Sequence, residues 1–111
     1  MSHLVDKLRR ARETRVEAGG FTFVCLRPTG LDVAEMSAVS RGRAILPYVI
    51  GWEGVRELDL IPGGDPHPVE FDADVCAAWL ADRLDILAPL AEAVFGAYTA
   101  HLKAIAEQKK S

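Results

Sequence analysis

At 111 residues with a net charge of −3, the chain is one domain's worth of sequence. It is long enough to bury roughly two-thirds of its unfolded surface without staples. Half the residues are hydrophobic and 26% are charged, which excludes disorder as the main state. The mildly acidic balance gives no general attraction to nucleic acid or to an anionic membrane. The charge is uneven, however: Lys7, Arg9, Arg10, Arg12 and Arg15 crowd the start, and Glu53 to Asp85 is mainly acidic. The first reading is a solvated basic helix face; the second is complementary ends that favour a homo-oligomer.

No apolar run reaches the ~18 residues of a membrane span, and the start lacks the apolar stretch of a signal peptide. Cys25 and Cys76 sit inside apolar patterns without a C-x-x-C spacing. Reduced buried thiols are therefore expected, and with them use in a cytoplasm.

Ser2 can cap a first helix whose apolar side is Leu4, Val5, Leu8 and Ala11, ending near Thr14 as an arm over residues 1–14. From Val16 to Leu26, strand formers broken by Gly19-Gly20 predict a β-hairpin. Phe21, Phe23 and Cys25 fall on one face of its second strand. Thr29-Gly30-Leu31-Asp32 has a capping-box layout with Asp in place of Glu, opening a helix to about Val39 that buries Leu31 and Ala34. Ser40-Arg41-Gly42 is a break.

Ile45, Leu46, Val49 and Ile50 have the spacing of a short apolar helix over Arg43 to Ile50, kinked by Pro47. Gly51 then fits the position after a helix end, and Gly54 a second turn, which holds Trp52 on a loop between them. Pro62 to Pro68 reads as an exposed loop. Asp72 caps the next helix, which turns Val75, Cys76, Trp79 and Leu80 inward and ends near Asp82-Arg83. Asp85 can cap the last helix, whose stripe is Leu87, Leu90, Ala91, Val94, Phe95, Tyr98, Leu102 and Ile105. Residues 105–111 are polar and expected to fray. Helix, hairpin and further helices make a mostly helical α+β domain with an N-terminal β-hairpin, spanning 1–111.

Chemistry is thin. Asp65, His67, Glu70, Asp72, Asp74 and Cys76 bring oxygen, nitrogen and sulfur donors together, but their spacing fits no zinc or calcium motif. A small metal-dependent enzyme built on them is the weakest reading. No phosphate loop or nucleophilic triad is present, so no catalytic, cofactor or metal residues are assigned. Surplus apolar surface is the stronger signal. The candidate partner-binding residues are Trp52, Val55, Trp79, Phe95, Tyr98, Leu102 and Ile105.

A collinear series of motifs points further. Lys7-Leu8-Arg9-Arg10-Ala11-Arg12-Glu13 runs into Gly19-Gly20-Phe21-Thr22-Phe23, then Arg27-Pro28-Thr29 and Gly51-Trp52-Glu53-Gly54-Val55. Asp59-Leu60-Ile61-Pro62-Gly63-Gly64, Pro68-Val69-Glu70-Phe71-Asp72, Trp79-Leu80-Ala81-Asp82-Arg83 and Pro89-Leu90-Ala91 complete it. The series resembles the small tail assembly chaperones of long-tailed double-stranded DNA phages and prophages. That resemblance implies a non-enzymatic protein without cofactors, working in the bacterial host cytoplasm and missing from the mature virion. Its partners would be the tape measure protein, whose apolar helical segments it shields, and the tail tube protein. Neither nucleic acid nor membrane is among them. The alternative is a structural tail or head–tail component of the virion.

Overall fold

The computed structural model describes residues 3–36 and 41–110. It is an α+β domain: a three-stranded antiparallel sheet in the order β1-β2-β3, with helices packed on one face. The elements run α1 (His3–Arg10), β1 (Glu13–Ala18), β2 (Phe21–Leu26), α2 (Gly30–Glu35) and α3 (Arg41–Ile45). A 3₁₀ turn (Leu46–Tyr48) follows, then β3 (Val49–Glu53), α4 (Glu57–Leu60), α5 (Ala73–Ala81) and α6 (Leu84–Lys110).

The hairpin forms where the alternation predicts it. Gly19 and Gly20 take φ of 61° and 85°, a left-handed pair that closes a two-residue turn and sets Ala18 opposite Phe21. Phe23 and Cys25 point into the core and are fully buried. Thr29 makes the expected capping box, its side chain accepting from the Asp32 amide while Asp32 accepts from the Thr29 amide. The helix it opens is shorter than expected, and Leu31 stands 70% exposed rather than buried. The rest of that helix's expected span, the Ser40 break and the Ser2 cap lie outside the described residues.

The segment read as one apolar helix is instead spread over three elements. Arg41–Ile45 is helical, Leu46–Tyr48 tightens into a 3₁₀ turn carrying Pro47, and Val49–Glu53 is a strand. Proline lacks the amide that a continuing helix would need, so the helix stops there. The released chain pairs with β2, Trp52 opposite Phe23 and Gly51 opposite Val24. Trp52 is therefore a strand residue, and only the Gly54 turn (φ 74°) is as expected. The Pro62–Pro68 segment is irregular but tied back: the Glu57 amide donates to the His67 carbonyl and the Leu58 amide to the Asp65 carbonyl.

Asp72 caps α5, accepting from the amides of Asp74 and Val75. Cys76, Trp79 and Leu80 are buried as expected, whereas Val75 faces outward. Asp85 is not the cap of α6 but lies in its first turn, where it pairs with Arg83 at 2.9 Å. The helix is 27 residues long and continues through Lys110, so the tail expected to fray is helical up to there. Pro89 sits within it, leaving the Asp85 carbonyl without its usual amide. Such a helix is about 40 Å long, which explains the elongated 54 × 32 × 26 Å shape. Its first half closes the core against β1: Ile86, Leu90 and Val94 are fully buried.

Candidate functional site

The seven residues expected to meet a partner fall into two groups that the fold separates. Trp52, Val55 and Trp79 belong to an aromatic cluster between the sheet and α5. Trp52 Nε1 donates to the Val69 carbonyl at 2.8 Å, and its ring meets Phe71 and Trp79 edge-on at 5.2 and 5.9 Å. Trp79 in turn sits edge-to-face with Phe21 at 5.1 Å. Val55 and Trp79 are only 1% and 8% exposed, and Trp52 is half-buried. The sheet and the returning loop cover Val55 and Trp79, which leaves little of either at the surface, and part of the Trp52 ring stays accessible. The indole N–H of Trp52 has an internal acceptor, as a buried donor requires.

Phe95, Tyr98, Leu102 and Ile105 follow the outer half of α6. Phe95 packs partly on the core, with the Arg41 guanidinium 5.6 Å from its ring centroid. Tyr98 lies against α2, its hydroxyl so close to Gly30 that an added Cβ would sit 2.8 Å away. Leu102 and Ile105 are 48% and 37% exposed.

Beside them is a feature the sequence reading missed. α3, α5 and the start of α6 enclose an open groove of about 700 Å³. Its walls are mainly Ala77, Ala78, Ala81, Ala88 and Ala91 with Leu46 and Leu84, and Arg41, Arg43 and Glu92 stand among them. Gly42 brings α3 against α6, where an added Cβ would lie 3.1 Å from Leu87 Cδ2. The run Ala77-Ala78 and the pair Ala88 and Ala91 were the available signal, because small residues on facing helices leave space. A further apolar face is on α1, where Val5 and Leu8 of the expected apolar side are exposed; no residue of this helix is buried.

Burial pushes the Cys25 thiol up to about 12, with Cys76 nearby adding to the shift, and burial pushes Cys76 to about 11. Both are free thiols and poor nucleophiles at neutral pH. Among the described residues, no three His, Cys, Asp or Glu side chains gather as metal ligands. The donors between Asp65 and Cys76 are spread along a loop and a helix start, with Asp72 occupied as a cap. No helix among the described residues is long and apolar enough to cross a membrane. Compared with known proteins, the chain matches no family model, no curated relative and no solved structure.

Proposed function

We propose that this chain is a non-enzymatic chaperone of phage tail assembly, which shields apolar helical segments of the tape measure protein and aids recruitment of tail tube subunits around it. It works in the cytoplasm of a bacterial host and is left out of the finished virion. The observation that carries the reading is the apolar groove of about 700 Å³ over the start of α6, on a helix that also exposes Leu102 and Ile105 further along. A helix laid in such a groove buries its apolar face in the way that helix-in-groove partners do. Contiguous apolar surface of this kind marks interaction sites in small proteins. The collinear motif series supports the same class of protein.

Co-expression with a tape measure fragment tests it. The wild-type chain should keep the fragment soluble and elute with it, whereas Ala88→Glu, which puts a charge in the exposed groove floor, should release the fragment to the pellet. If wild type leaves the fragment insoluble and no complex elutes, the reading fails. Recovery of the chain from purified virions by mass spectrometry would favour a structural tail component instead.

A further inference from the structure

The outer face of α6 carries a second apolar seam beside the one that closes the core. Ala88, Ala91, Phe95, Tyr98, Leu102 and Ile105 follow at alternating steps of three and four, the spacing of a helix that lies along another helix. The two ends of this seam differ in what they lack. Ala88 and Ala91 floor an open groove, where bulk is missing. Leu102 and Ile105 are bulky and exposed, so what they lack is cover.

We propose that a second copy of the chain docks on this face, the two α6 helices running antiparallel about a two-fold axis midway between Phe95 and Tyr98. With Phe95 opposite the second copy's Tyr98, Leu102 falls opposite the second copy's Ala91 and Ile105 opposite its Ala88. The symmetry makes each contact twice, so one register fills both grooves and covers both exposed ends.

Charge selects the direction. The first half of α6 carries Asp85 and Glu92, and the second half carries Lys103 and Lys109. Antiparallel packing sets Glu92 near the second copy's Lys103. Parallel packing would stack Glu92 on Glu92 and Lys103 on Lys103. Exposed pairs contribute little affinity, but like charges placed together penalise the wrong orientation. Among the described residues, the ion pairs are Arg15–Glu53, Arg56–Asp59 and Arg83–Asp85, which leaves Glu92, Lys103 and Glu107 outside them. This dimer would use the face proposed above for a tape measure segment, so the two occupants compete: sedimentation of the chain alone reads the dimer, and co-expression with the fragment reads the other.

Sedimentation velocity of the full chain over a concentration series reads the first part. A species of twice 12.1 kDa should grow in with concentration, and Leu102→Glu should weaken it at least about tenfold. Because Leu102 is exposed, the variant should keep the wild-type circular dichroism and, at a dilution where wild type is monomeric, its melting curve. Disulfide trapping reads the register: Ala88→Cys chains mixed with size-tagged Ile105→Cys chains should give a mixed covalent dimer on oxidation, and neither variant alone should link. The native thiols stay out of this reaction because they are buried. A wild-type chain that remains monomeric at every concentration overturns the proposal. So does a dimer indifferent to Leu102→Glu, or one in which like links to like and no mixed product forms.

Discussion

In the first half of α6, Ile86, Leu90 and Val94 are sealed against the sheet, whereas in the second half Leu102 and Ile105, on the apolar seam beside that stripe, stand in the open. The helix propensities of the two halves do not explain the difference; their surroundings do. β1, α3 and α5 pack on α6, and its buried residues all lie between Ile86 and Val94. Periodicity reports that a helix face wants burial, and only the arrangement of the other elements tells whether the chain itself supplies it. In this protein the same pattern marks a core at one end of a helix and an unfilled contact at the other.

Substitution should divide the helix at the same place. Leu90→Ala removes a fully buried side chain and should cost about 2–5 kcal/mol in urea unfolding. Leu102→Ala, measured at a dilution where the chain is monomeric, should stay within about 0.5 kcal/mol. Equal costs at the two positions would break the comparison. Gly19→Ala probes the contact between the hairpin turn and the buried half. Its φ is 61° and a Cβ would meet Ile86 Cγ1 at 2.6 Å, so a loss of about 1–3 kcal/mol is expected in the same assay.

Asp72→Ala affects the wall opposite α6. The carboxylate satisfies two amides at the start of α5, and its loss should cost about 1 kcal/mol of thermal stability. The smallest effect is expected at Asp32, away from both halves. Hydrogen bonding from the Thr29 amide, together with the Thr29 side chain, holds its carboxyl below the usual carboxylate range. A carboxylate whose folded pKa is depressed stabilises the fold above its unfolded value. That contribution is lost as pH falls through the folded one. Wild type should therefore lose slightly more stability than Asp32→Asn on acidification below the ordinary Asp range, as followed by melting temperature.

Much of the fold was legible where local chemistry decides it. Gly19-Gly20 between alternating segments specified the hairpin, and Thr29 and Asp72 marked helix starts through their side-chain oxygens. The third strand was not legible. Ile45 to Ile50 has helical spacing, and what makes its second part a strand is pairing with β2, residues distant in sequence. Trp52 and Trp79 looked like surplus because the loop that returns to cover Trp52 is held by backbone bonds, such as the Val69 amide to the Val55 carbonyl, that leave no mark on composition. The groove escaped notice for the opposite reason. Alanines at 77, 78, 81, 88 and 91 are ordinary helix formers, and they signify a space only once α3 and α5 are placed beside α6.

Amide hydrogen exchange along α6, compared between wild type and Leu102→Glu over a range of protein concentrations, tests most directly whether the outer half is completed by another chain. Protection from Thr99 to Lys109 should rise with concentration in wild type and stay low in the variant, while Ile86 to Val94 remain equally protected in both. Protection from Thr99 to Lys109 that is the same at every concentration and in both proteins would contradict the account.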